Sequence, residues 1–167
     1  SPQSADGWRW KALTEACRAQ GIPVGRAHRA QDDCLMTKEA FNECRISNRL
    51  HFVHDGEALL DYLNRRPPYN DDERFPRPGL ILLDLNMPLK DGREALLEIK
   101  ADPRLRMIPV VILTTSSAEE DVLNSYDIGV NSFITKPVTF SGLIDVIRTL
   151  GRYWLDIVEL PAEERGV

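Results

Sequence analysis

Hydrophobic positions alternate between two spacings from about residue 33 onward. Continuous apolar runs at Leu80–Leu83 and Val110–Leu113 are typical of parallel strands buried on both faces. Apolar residues three or four positions apart, as in Gly56–Leu63 and Arg93–Lys100, predict helices that bury one face. The other predicted elements are a helix around Leu35–Cys44, strands at Leu50–Val53 and Ser132–Thr135, and helices at Ala118–Ile128 and Phe140–Leu155. This alternation predicts an α/β fold, with a parallel sheet between two layers of helices.

Two segments depart from that alternation. Residues 64–79 hold four of the eleven prolines and several charges, which predicts a long exposed connection. Residues 1–30 form an atypical N-terminal segment, with a helix-like pattern over Trp8–Ala19. We therefore expect one domain at residues 31–161, followed by a short tail at 162–167. The N-terminal segment is interpreted either as an added helix or as an altered leader.

Charge and hydropathy narrow the classes of function. The net charge of -5 and the pI near 5.3 argue against a nucleic-acid binder, because phosphate contacts need clustered Lys and Arg. No apolar run approaches the roughly 20 residues that a membrane span requires. The expectation is an acidic cytoplasmic protein that binds neither membrane nor nucleic acid.

Polar residues stand at the carboxyl ends of three successive predicted strands. Asp84 follows the first of these strands, Thr114 the second and Lys136 the third. Binding sites in parallel α/β sheets lie at that edge, so we expect the three side chains to converge. A carboxylate, a hydroxyl and an ammonium together suit phosphoryl transfer, in which the charge on the phosphoryl oxygens must be stabilised by positioned donors and usually by Mg²⁺.

The motif around Asp84 resembles that of a known family. Leu82-Leu83-Asp84-Leu85-Asn86-Met87-Pro88, with Asp91-Gly92 following, is similar to the phosphoacceptor motif of bacterial response-regulator receiver domains. Thr114 lies 30 residues after Asp84 and Lys136 another 22 after that, and the family uses both spacings. The stretch from Ile108 to Ser116 and the ending Tyr153–Pro161 most resemble the single-domain regulators that serve bacterial phytochromes.

The resemblance implies a flavodoxin-like, doubly wound sheet of five parallel strands and a role for each site residue. Asp84 would accept a phosphoryl group from a sensor histidine kinase, and Thr114 and Lys136 would contact that group. Asp84 and the backbone carbonyl of Asn86 would hold Mg²⁺. Phe133 stands at the position of the family's aromatic switch residue, with core packing as the simpler alternative. In the family, the proline equivalent to Pro137 usually follows a cis peptide bond.

The first strand and its metal ligands are atypical. In the family this strand ends in two acidic residues, whereas counting back from Met36 places that pair at His28 and Arg29, which are poor Mg²⁺ ligands. The strand itself would fall near Ile22–Arg26, where Pro and Gly disfavour a central strand. Asp32 and Asp33 would replace the pair only if the alignment slipped by about four residues. Mg²⁺ affinity is therefore in doubt.

Several other functions remain open at this point. The main alternative is a pseudo-receiver that keeps the fold and binds partners without phosphorylation. An Asp-nucleophile phosphatase is disfavoured because Asn86 stands where that class has a second acid, and a flavin-binding protein lacks its phosphate-cradling loop. The apolar residues of the closing helix and its tail favour a homodimer, with packing back onto the sheet as the competing interpretation.

Overall fold

The described part of the chain contains one parallel sheet of five strands. The computed structural model describes residues 11–15, 36–45, 49–53, 55–85, 92–114 and 119–157. The strands, in chain order, are β1 Lys11–Glu15, β2 Arg49–Val53, β3 Leu80–Leu83, β4 Val110–Thr114 and β5 Ser132–Thr135. Their order across the sheet is β2-β1-β3-β4-β5, and every neighbouring pair is parallel. This is the flavodoxin-like order of a doubly wound sheet, so the predicted fold class is confirmed.

Five helices follow the strands. They are α1 at residues 36–43, α2 Gly56–Leu63, α3 Gly92–Ala101, α4 Glu119–Ile128 and α5 Phe140–Gly151. The helices α2 to α5 each begin within two residues of their predicted start. The closing helix differs from its prediction because the α-helix ends at Gly151 and a π-helix continues over Arg152–Ile157. None of the helices in the described ranges is long and apolar enough to cross a membrane.

Both faces of the sheet are covered, which explains the continuous apolar runs of β3 and β4. Ile81 and Leu83 point to one face, where they join a core formed with α2 and α3. Leu80 and Leu82 point to the other face and pack with α1 and α5. Because successive side chains of a strand alternate between faces, a strand covered on both faces is apolar along its length, and the polar residue of β4 is Thr114 at its carboxyl end. All nine residues of the two strands are buried, as predicted.

The first strand lies elsewhere than predicted. Lys11–Glu15 forms β1, so the predicted helix over Trp8–Ala19 is wrong for these residues, as is the placement of the first strand at Ile22–Arg26. β1 pairs with β2 along one edge and with β3 along the other. Pairing on both edges satisfies the backbone of a short segment, and such tertiary contacts override a local helical pattern. Part of the atypical N-terminal segment therefore supplies a central strand of the sheet.

The long connection between α2 and β3 is held by an aromatic cluster. The ring centroids of Tyr62, Tyr69 and Phe75 are 5.2–5.9 Å apart, and the ring of His51 on β2 lies 5.7 Å from that of Tyr62. The Tyr62 hydroxyl donates a hydrogen bond of 2.8 Å to the carbonyl oxygen of Pro76. Burial raises the pKa of the Tyr62 hydroxyl above its usual range. The connection is thus anchored to α2 through its aromatic residues, while residues 65–68 and 70–74 are exposed, as predicted.

Replacing Tyr62 by Phe is expected to lower the free energy of unfolding by about 1 kcal/mol, because the Pro76 carbonyl loses its partner while the ring contacts stay. Tyr69→Phe is the matched control, since the Tyr69 hydroxyl makes no hydrogen bond within the described ranges, and its effect should stay below about 0.5 kcal/mol. Denaturant unfolding of both variants measures the difference. Equal losses would contradict an anchoring role for the Tyr62 hydroxyl.

Candidate functional site

The ends of β3, β4 and β5 meet at one edge of the sheet. Asp84 directly follows β3, Thr114 is the last residue of β4, and Lys136 directly follows β5. The three strands are neighbours with a continuous register, in which Leu83 lies beside Ile112 and Thr114 beside Thr135. The backbone N–H of Lys136 donates to the carbonyl oxygen of Thr114 at 2.7 Å, which joins the ends of β4 and β5.

The three side chains predicted for this edge are in contact. The Thr114 hydroxyl donates to Oδ1 of Asp84 at 2.9 Å, and the Lys136 ammonium donates to Oδ2 at 3.3 Å. The two carboxylate oxygens therefore have different donors. Thr114 is fully buried, and the side chains of Asp84 and Lys136 are only 14% and 12% exposed.

The environment of these groups strengthens their interaction. An ion pair with little solvent contact is screened less than one on the surface, so charge and hydrogen-bond geometry matter more here. The carboxylate of Asp84 can act as a nucleophile. The neighbouring hydroxyl and ammonium can donate hydrogen bonds to the oxygens of a group that becomes attached to it. This arrangement suits the transfer of a phosphoryl group to Asp84.

Of the other residues named from the sequence, some are described by the structure and some lie outside the described residues. Phe133 on β5 is partly buried and packs against the core on the α2 and α3 face. Asn86 lies outside the described residues, and so do His28, Arg29, Asp32 and Asp33. The cis peptide bond in the described part of the chain is Pro67–Pro68. The Lys136–Pro137 bond is therefore trans, contrary to what the resemblance implied.

Those residues at this edge that the structure describes supply few ligands for a metal ion. The described ranges contain no group of three or more His, Cys, Asp or Glu side chains arranged to hold one. Asp84 offers one carboxylate at this edge. Mg²⁺ keeps several waters and is often bound through one or two carboxylates together with substrate phosphates, so the carboxylate of Asp84 fits a weak Mg²⁺ site.

Replacing Lys136 by Met is expected to lower the free energy of unfolding by about 1.5–3 kcal/mol, because the Asp84 carboxylate loses a charge-assisted hydrogen bond in a poorly hydrated position. In the Asp84→Asn background the same substitution should cost much less, as a double-mutant cycle would measure.

The exposed pair Arg148 and Asp145 provides the control for that cycle. Its side chains are 57% and 75% exposed, so Arg148→Met should change the free energy of unfolding by less than about 1 kcal/mol. Additive effects of the Asp84 and Lys136 substitutions would contradict the coupling.

Comparison with known proteins identifies the family. The family model described as the response regulator receiver domain matches residues 35–148. The response regulator Rcp1 of Synechocystis sp. is 43% identical over 130 residues, which is 78% of this chain and 86% of that protein. The crystal structure of the phosphorylated cyanobacterial phytochrome response regulator RcpA superposes with a TM-score of 0.78 at 35% identity, covering 93% of this chain and all of that one. The Mn²⁺-bound form of Rcp1 gives a TM-score of 0.75 at 37% identity over 92% and 99% of the two chains. The chain belongs to the response regulator receiver domain family.

Proposed function

We propose that this chain is a single-domain response regulator whose Asp84 accepts a phosphoryl group from a sensor histidine kinase in the cytoplasm. The observation that carries the proposal is the pair of contacts from Thr114 and Lys136 to the two oxygens of the Asp84 carboxylate. Family membership supports the phosphorelay role, and the phytochrome response regulators among its relatives support a phytochrome-linked kinase as the donor.

Each of the three residues has a part in the transfer. An oxygen of Asp84 attacks the phosphorus of the donor, so that a P–O bond forms as the bond from phosphorus to the leaving nitrogen breaks. The nitrogen keeps the bonding electron pair and takes up a proton. The Lys136 ammonium faces the negative charge that gathers on the phosphoryl oxygens, and the Thr114 hydroxyl turns from Asp84 to donate to one of them. The only catalysis in this scheme is the chain's own phosphorylation and dephosphorylation.

Asp84 and the backbone carbonyl of Asn86 are the residues proposed to hold Mg²⁺. The ion would supply further neutralisation of charge on the phosphoryl oxygens. We propose that Mg²⁺ binds weakly before phosphorylation, because Asp84 contributes a single carboxylate and Mg²⁺ gives up its waters reluctantly.

The change of charge at Asp84 is proposed to act through Thr114 and Phe133. Thr114 is the last residue of β4, and Phe133 on the neighbouring strand touches the core beneath α2 and α3. A shift of the Thr114 hydroxyl toward a phosphoryl group changes the packing at the end of β4. Two discrete packings of β5 and α5 would convert that shift into a signal for a partner.

Incubation with Mg²⁺ and a small phosphodonor such as acetyl phosphate is expected to produce an acid-stable, base-labile adduct on Asp84, which tandem mass spectrometry locates. Thr114→Ala and Lys136→Ala should slow its formation by about 10²–10³-fold each, because each removes one positioned donor. Chelation of Mg²⁺ should abolish the adduct, and a titration should need high Mg²⁺ for half the maximal rate.

Asp84→Asn is the control for this experiment, because the amide keeps the shape of the carboxylate and is not a nucleophile. Failure of the unaltered chain to form the adduct at saturating Mg²⁺ would favour the pseudo-receiver. An adduct that persists in Asp84→Asn would contradict the choice of acceptor.

We also propose that the chain forms a homodimer through its C-terminal helix. An open groove of about 260 Å³ lies between β5 and α5, lined by Ile134, Val146 and Leu150 among others. Tyr153, directly after α5, is 52% exposed, while Trp154 is buried against the chain's own core. The exposed apolar surface beside α5 supports self-association.

Light scattering of the phosphorylated and unphosphorylated chain is expected to show a dimer in at least one state. Val146→Asp should shift that dimer to monomer, because the new carboxylate would lie in the apolar groove. Met107→Asp, at an exposed position that does not line the groove, is the control and should leave the size unchanged. A monomer under both conditions would overturn this proposal.

A further inference from the structure

The first residue of α3 lies directly against the peptide that follows the phosphoacceptor. A Cβ atom added to Gly92 would stand 2.3 Å from the carbonyl oxygen of Asp84 and 2.8 Å from Cα of Leu85. These are backbone atoms, so no side-chain rotation relieves the overlap. The backbone N–H of Gly92 also donates a long hydrogen bond of 3.4 Å to the carbonyl oxygen of Leu85.

Gly92 is required because α3 lies so close to the Asp84–Leu85 backbone, and not because of its own backbone conformation. In the described ranges the glycine with a positive φ is Gly129, at +107°. Gly92 has an ordinary helical position, which any residue adopts without strain. The absence of a side chain is therefore needed for the distance between α3 and the Asp84 backbone.

Neither α3 nor the Asp84–Leu85 backbone can move apart to relieve such an overlap. Ala95, Leu96 and Ile99 anchor α3 in the core with no exposed surface. On the other side, Leu85 is 1% exposed and belongs to the same core. β3, which ends one residue before Asp84, is paired with β1 and β4. Interiors of this density transmit a displacement to their neighbours instead of absorbing it.

We propose that Gly92 is a positioning residue for Asp84. By letting α3 pack against the Asp84–Leu85 peptide, it fixes where the carboxylate stands relative to Thr114 and Lys136. This inference rests on the proposed phosphorylation of Asp84. Gly92 would act on that reaction through the position of Asp84, without contacting the phosphodonor or the phosphoryl group. A Cβ at this position would move the carboxylate away from one or both donors.

Gly92→Ala is expected to slow adduct formation by about 10- to 100-fold with a small phosphodonor, because displacements near 1 Å at a reacting group have effects of that size. Gly129→Ala is the matched control. It strains a positive φ at the end of α4, where the nearest atom to an added Cβ is 4.0 Å away, and it should leave the rate within about twofold of the unaltered chain. Both variants are assayed at a temperature where circular dichroism shows them folded.

A double-mutant cycle separates positioning from general damage. If Gly92 positions Asp84 relative to its donors, Gly92→Ala should slow the reaction much less in the Thr114→Ala background, in the Lys136→Ala background or in both than in the unaltered chain. Equal fold-changes in the unaltered chain and in both backgrounds would overturn the proposal.

Two core variants test the same idea if Gly92→Ala does not fold. Leu96 on α3 and Leu59 on α2 are fully buried leucines of one core. Leu96→Ala loosens the hold on α3 and should slow the reaction by at least about fivefold more than Leu59→Ala, because it releases the helix that positions Asp84. Equal rates for these variants would also overturn the proposal.

Absence of any adduct on the unaltered chain is a separate result. It contradicts the proposed function itself, and the positioning role of Gly92 falls with it.

Discussion

The interaction on which the site depends is the contact of one poorly hydrated carboxylate with two donors from neighbouring strands. A negative charge with little access to water is destabilising unless it is paired and hydrogen-bonded. Asp84 meets that requirement through Thr114 and Lys136, at 2.9 and 3.3 Å. The requirement fixes the relative positions of the ends of β3, β4 and β5, since a strand displaced along its axis would leave the carboxylate without one partner. The same donors are suited to hold a phosphoryl group attached to Asp84.

The rest of the fold keeps those three strand ends in place. β3 and β4 contribute side chains to both cores, so the strands that carry Asp84 and Thr114 are fixed from both faces of the sheet. α3 adds a contact at the phosphoacceptor residue itself, because Gly92 lies against the carbonyl group of Asp84. A phosphoryl group on Asp84 therefore adds negative charge to a closely packed region. Packed regions of this kind change between discrete arrangements, which is what a phosphorylation switch needs.

The sequence was most informative where burial and chemistry act on the same short segment. The apolar runs before Asp84 and Thr114 are unbroken because both faces of their strands are covered, and the polar residues after them mark the strand ends. β1 was missed because Lys11–Glu15 has no apolar run and owes its conformation to pairing with β2 and β3, which lie far away in sequence. Gly92 was part of the recognised motif, yet its role depends on a distance to backbone atoms that no residue pattern reveals. The widening of the last helix at Arg152 has no sequence signal either.

A crystal structure of the chain with Mg²⁺ and beryllium trifluoride, a stable mimic of a phosphoryl group, would show directly whether Thr114 and Lys136 hold a phosphoryl group on Asp84. We expect the mimic on a carboxylate oxygen of Asp84, with the Thr114 hydroxyl and the Lys136 ammonium both donating to its fluorine atoms. A mimic bound at another residue, or bound to Asp84 with Thr114 and Lys136 turned away from it, would show that these residues do not have the proposed roles.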